Sequence, residues 1–146
     1  MHLMALFRRF ATNRDAGVAP MLALAALPLF GFVGAAVDFS RAASTRTAMQ
    51  AALDASALML SKDASSMTAG DLTQKAQTYF TTLFTRPEAL NVQVTTNMTQ
   101  PQAGSYLIQM TGSASVNTLF SRLLGQSVIN LSAKSEVSWG IKKLNL

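Results

Sequence analysis

Apolar and polar positions along this chain follow three rhythms in turn. From Ala16 to Val37 no residue is charged and most are Ala, Leu, Val or Phe. A helix of that length rises roughly 33 Å, enough to cross a hydrocarbon core of about 30 Å. From Asp38 to Lys62 no helix-breaking residue occurs. Met49, Ala52, Leu53, Ala57 and Leu60 recur there at helical spacing, which predicts one helix leaving the apolar run and laying a modest face on something. Thr68-Ala69-Gly70-Asp71 then reads as a capping-box-like start with an acid in the first turn. Leu72, Ala76, Tyr79, Phe80 and Leu83 continue it as an amphipathic helix, and Arg86-Pro87 ends it.

The period then falls to two. Leu90, Val92, Val94, Thr96 and Met98 alternate with polar residues, "QPQAG" supplies a turn, and Tyr106, Ile108, Met110, Ala114 and Val116 alternate again. This predicts a hairpin with one buried face. A short helix is expected next, with Asn117 as cap, Leu119, Phe120, Leu123 and Leu124 on one side and Gly125 at its end. Ile129, Leu131, Ala133, Val137, Trp139 and Ile141 make a third strand, with Lys134 and Glu136 on its other face. Three strands with one apolar face need a cover, and the two helices are available. The expected fold is α+β: an N-terminal transmembrane helix continuing into a long helix, packed with a second helix on a small antiparallel sheet of about three strands, pilin-like. The expected division is a basic N-terminus at 1–15, a span at 16–37 and an extracytoplasmic domain at 38–146.

Within the span, Pro20 falls near the first turn, where a missing N–H costs little. Pro28 is central and is expected to kink the helix, which spanning helices tolerate better than soluble ones. Gly31 and Ala35 form a small-xxx-small pair of the kind that admits a partner helix. The anchor residues named on this reading are Ala16, Pro20, Pro28, Gly31, Gly34 and Val37. Arg8, Arg9 and Arg14 precede the span and Asp38 follows it directly. By the positive-inside rule these four charges place the N-terminus in the cytoplasm and the bulk of the chain in the periplasm. A cleaved signal peptide is the competing reading, because Gly34-Ala35-Ala36 has a small-x-small pattern that would leave Val37 as a new N-terminus. The apolar stretch exceeds the usual 7–15 residues of a signal, so a retained anchor is expected.

Composition excludes more than it suggests. Charged residues are only 13% of the chain, against about 25% in a typical soluble domain, and the shortfall lies in the apolar run. Cysteine is absent, which removes disulfides, zinc ribbons and thiol nucleophiles. The net charge is +5; Arg8, Arg9 and Arg14 sit just ahead of the span and the later basic residues are scattered among acids, with no basic stripe interleaved with aromatics of the kind nucleic acid requires. His2 is the single histidine, remote from any carboxylate cluster. The acids are dispersed, with no metal-binding spacing and no G-x-S-x-G elbow. No enzyme, cofactor, metal, nucleic acid or small-molecule substrate is expected.

The stretch "RRFATNRDAGVAPMLALAALPLFGFVGAAVDFSRAASTRTAMQAALDASAL" resembles the N-terminal region of TadE/TadG-like proteins of the Tad (tight adherence, Flp) pilus machinery. The shared features are the basic lead, the small residues opening the span, its proline, the "VGAAVDFSRA" exit and the Ala-rich helix. "VNTLFSRLLGQSVINLSAKSEVSW" resembles the segment that precedes a von Willebrand A-type domain in longer members. The resemblance implies an inner-membrane protein with a pilin-like outer domain, acting in pilus assembly or anchoring, with the bilayer and other pilus-assembly proteins or pilin subunits as partners. The metal-binding D-x-S-x-S motif of longer members does not occur here, so metal-dependent adhesion does not carry over. Prepilin-like relatives are cut after a glycine and carry a glutamate five residues on. Counted from Gly17, that place holds Leu22, so a static anchor is expected over a polymerising pilin. The alternatives are a minor pilin or pseudopilin within a filament, and a signal-cleaved periplasmic binding module.

Overall fold

A computed structural model describes residues 18–140 of the chain. Ala16, Arg8, Arg9, Arg14, His2, Gly17 and Ile141 lie outside the described residues.

The first element, α1, is one helix, Val18–Ser61, 44 residues long and continuous through Pro28. It changes character along its length. From Val18 to Val33 no residue is fully buried. From Gly34 onward, burial recurs every three or four residues: Asp38, Ala42, Thr45, Met49, Ala52, Leu53, Ser56, Ala57, Leu60. The face predicted at 49–60 is therefore real, and it covers the protein's own sheet. A turn at Ala64–Ser66 leads to α2, Ala69–Leu83. Thr68 caps it as its spacing predicts: the Asp71 N–H donates to Thr68 Oγ1 at 3.2 Å, and the hydroxyl donates to Asp71 Oδ2 at 2.7 Å. Leu72, Ala76 and Phe80 are the buried face of α2, and the Phe80 ring stacks on Phe84 at 5.3 Å.

Three antiparallel strands follow: β1 (Ala89–Gln102), β2 (Ser105–Asn117) and β3 (Val128–Gly140), in spatial order 1-2-3. The first turn is tighter than "QPQAG" suggests. Gln102 pairs with Ser105, leaving Ala103 and Gly104, and Gly104 takes the positive φ of 79° that L side chains rarely adopt. Pro101 thus sits inside β1, which is tolerable because β1 is an outer strand.

The core lies between α1, α2 and the inner sheet face, with Met49, Leu53, Leu60, Phe80, Ile108, Met110 and Val116 almost fully enclosed. Each such large side chain contributes about 1.5–3 kcal/mol relative to being left in water. Gly112 lets α1 come close: a Cβ there would meet Leu53 Cδ1 and Met49 Sδ, each at 3.2 Å. At the outer side of β3, Arg46 Nε donates to the Ser132 carbonyl at 3.0 Å and Gln50 Nε2 to the Lys134 carbonyl at 2.9 Å. The helix therefore occupies backbone acceptors that an edge strand normally leaves open.

Two sequence expectations are corrected. Leu90 and Val92 are not on the inner face but 42% and 40% exposed. The pairing register shifts between Leu90 and Gln93, where Asn91 has φ 52°. One extra residue at such a bulge reverses the inward parity of everything before it, so Ala89 packs on the core instead. Asn117 is not a helix cap either. It is the last residue of β2, paired with Val128, and the segment after it is a single 3-10 turn, Ser121–Leu124.

Candidate functional site

The feature of this fold that is not ordinary core packing lies where α1 changes from exposed to buried. The 3-10 turn begins without a local cap, since Phe120 at its N-cap makes no side-chain capping bond. Three successive backbone N–H groups are thereby left needing an acceptor. Asp38 supplies it from the other end of the chain. Leu119 N donates to Oδ1 at 2.9 Å, and Phe120 N and Ser121 N donate to Oδ2 at 2.9 and 2.7 Å. The carboxylate is 2% exposed. Burial pushes its pKa up, but the donors from Ser121, Leu119 and Phe120 outweigh that and hold it at about 2 against an ordinary 3.8. The group is ionised at neutral pH.

One helical turn earlier, Phe120 lies on Gly34. A Cβ at Gly34 would stand 2.6 Å from Phe120 Cγ and closer still to its Cβ, so this contact requires glycine. Gly125 closes the turn with a φ of 89°. Beside the contact a cleft of about 680 Å³ runs between α1 and the turn, from Leu27 and Pro28 up to Val37. Its walls are apolar, and the turn side is formed by Phe120, Leu123 and Leu124. The four apolar side chains expected on one side of a helix here do not enter the core. Leu119 is 61% exposed, Phe120 46%, Leu123 86% and Leu124 69%.

Of the anchor residues named from sequence, Pro20, Pro28, Gly31, Gly34 and Val37 all lie on α1. Gly34 is engaged by Phe120, whereas a Cβ at Gly31 would have nothing within 4 Å. Asp38, named only as a flanking charge, has the additional role of fastening the turn. Local sequence could not reveal this, because the partners are more than eighty residues away. The one available signal was negative: a turn at Leu119–Leu124 with no capping side chain of its own.

A second polar cluster sits two turns further along, at Thr45. The Thr45 hydroxyl is 2.9 Å from Glu88 Oε1 and 3.0 Å from the Arg41 carbonyl, and Arg86 Nη1 is 3.8 Å from the same carboxylate. Glu88 has a lowered pKa, chiefly from its own backbone N–H, then from Thr45, with Arg86 and Arg41 adding charge. This ties the loop after α2 to α1. Among the described residues no group of three or more His, Cys, Asp or Glu is placed to hold a metal ion.

The segment with the exposed apolar stretch and the Asp38 exit is also the segment that comparison with known families picks out. Residues 17–59 match the family described as putative Flp pilus-assembly TadE/G-like. The matched TadE/G-like segment coincides almost end to end with α1, covering both its exposed and its buried half. The match spans under half of the chain, so the likeness is that of this helix. No curated protein and no solved structure matches the chain. The TadE/G-like α1 is long and apolar enough, by length and composition, to cross a membrane.

Proposed function

We propose that the protein is a membrane-anchored, non-enzymatic component of Tad/Flp-type pilus assembly or anchoring. Residues 16–37 span the inner membrane, with 1–15 in the cytoplasm and 38–146 in the periplasm. Arg8, Arg9 and Arg14 hold the cytoplasmic end. The outer domain works through contacts with other pilus-assembly proteins or pilin subunits, and uses no cofactor, nucleic acid or small-molecule substrate. The observation that carries this reading is the coincidence of the TadE/G-like match with one unbroken helix whose leading part is apolar and exposed. Exposed Leu, Phe and Met in such density are stable in lipid and costly in water.

A minor pilin or pseudopilin is the second reading. What favours it is the same exposed half-helix, since a filament core is another place to bury an apolar stripe. Intact mass of the protein from the membrane fraction of its host separates the two. A mass starting at or near Met1, with co-purifying pilus machinery, supports the static anchor. A start at Val18, with the protein in sheared fibres, moves the assignment to a filament subunit. Recovery as a soluble protein starting at Val37 overturns both.

A further inference from the structure

We infer that the Leu119–Leu124 turn is a second membrane contact: it dips into the leaflet on the domain side, and lipid acyl chains fill the cleft between it and α1. This rests on the reading that Val18–Val37 spans the bilayer.

Depth is the first argument. Phe120 packs on Gly34, and the cleft beside it extends to Pro28. Those residues lie four and ten positions before Asp38, or roughly 6 and 15 Å along a helix axis. If α1 spans, the cleft lies within one leaflet of a hydrocarbon core about 30 Å thick. Chemistry is the second. The turn presents Leu119, Phe120, Leu123 and Leu124 outward, and its single charge is Arg122. An arginine stem is long enough to carry its guanidinium back to the phosphate level.

The third argument is the backbone. Irregular chain survives at membrane depth only where its polar groups are satisfied within the protein. Here Leu119, Phe120 and Ser121 donate to Asp38. Leu123 N donates to the Phe120 carbonyl, Gly125 N to Arg122 and Gln126 N to Ser121. Thr118 closes the base, its N–H donating to the Ser127 carbonyl and its hydroxyl to Gln126.

Lipid fits the cleft better than a partner helix does. Close helix approach uses small residues, but Gly34 is already taken by Phe120. Gly31, the other glycine of the cleft, is unoccupied, but it stands among bulky side chains such as Phe30 and Leu123, 71% and 86% exposed. Flexible acyl chains fill such a shape without a matching surface.

The chain has a single tryptophan, Trp139, so tryptophan reporters can be placed cleanly. Full-length Leu123→Trp and Leu24→Trp, each with Trp139→Phe, are reconstituted in phosphatidylcholine vesicles containing brominated acyl chains. Leu124→Trp serves as a second reporter, and circular dichroism checks folding. The expected result is loss of most emission at both sites. Leu123→Trp should be quenched best by bromines near the carbonyl end and Leu24→Trp by bromines near the chain terminus. Quenching of Leu24→Trp alone, with Leu123→Trp quenched by aqueous acrylamide, overturns the inference and leaves the anchor intact. Leu123→Trp shielded from both quenchers overturns it in favour of a protein partner in the cleft. An unquenched Leu24→Trp removes the anchor itself, and the inference with it.

Discussion

Ser121 stands 83 residues after Asp38 in the chain, yet its N–H lies 2.7 Å from Asp38 Oδ2. With Leu119 and Phe120 it makes the carboxylate at the end of the apolar run the acceptor for a turn that has no cap of its own. Asp38→Ala is therefore expected to speed amide exchange at Leu119, Phe120 and Ser121, while the core amides of β2 keep their protection. Asp38→Asn retains an oxygen but loses the charge, and should fall between wild type and Asp38→Ala. Unchanged exchange at those three amides in Asp38→Ala would refute the fastening role.

The same contact has a pH dependence of defined sign. The folded pKa of Asp38 is lowered, about 2 against 3.8. Its contribution is therefore fully present above the unfolded value and is lost as pH falls through the folded one. Glu88 and Glu136 are lowered as well and act in the same direction, so wild type alone does not isolate Asp38. The difference in Tm between wild type and Asp38→Asn should be constant at neutral pH and shrink as pH falls from 3.8 toward about 2. A difference independent of pH over that interval would show that ionised Asp38 is not what holds the turn.

Gly34 tests the contact from the other side. Gly34→Leu places a branched side chain where Phe120 sits, so the turn must lift while the core from Met49 to Leu60 is untouched. The expected outcome is faster proteolysis within Leu119–Gly125 with near-native circular dichroism. Gly31→Leu, facing open space, is the control and should leave the turn protected. Equal proteolysis in the two variants would mean that the Gly34–Phe120 contact does not hold it down.

In the core, Leu53→Ala in the full chain in detergent should destabilise the outer domain by about 2–5 kcal/mol. Leu53 is fully enclosed and stands over Gly112. Leu58→Ala, five residues on and 57% exposed, should change stability by less than about 0.5 kcal/mol. Denaturant midpoints for the pair decide the matter, and similar losses would mean that α1 packs on a different face.

Arg46 and Gln50 yield a prediction about association. Removing both by Arg46→Ala and Gln50→Ala frees the Ser132 and Lys134 carbonyls on β3. An uncovered edge invites pairing with another chain. The double variant should show stronger concentration-dependent self-association than wild type by analytical ultracentrifugation in detergent. A monodisperse double variant would mean that these side chains do not protect the edge.

Features that depend on neighbouring residues were readable in advance. The face from Met49 to Leu60, the Thr68 cap and the alternating runs from Val94 onward each express a period or a spacing, and each appears where its residues predict it. Features that depend on contact order were not. Leu90 and Val92 alternate correctly, but Asn91 inserts a bulge that no periodicity registers. Asn117 has the chemistry of a cap, yet the strand claims it and Asp38 does the capping from a distance. Of the candidate site, the apolar run was legible by composition alone. The engagement of Gly34 by Phe120 was not, since a glycine in an apolar helix carries no mark of what lies against it.

The unbroken course of α1 through both regimes has a mechanical result. A helix turns about 100° and advances about 1.5 Å with each residue, and here no linker separates its exposed half from the half that carries the sheet. One residue inserted between Leu22 and Ala26 would swing every preceding side chain by that angle relative to β1–β3 and shift it by that distance. Angular phase is thereby a fixed property of the molecule. Whatever grips the leading half of the helix also sets the compass heading of the sheet.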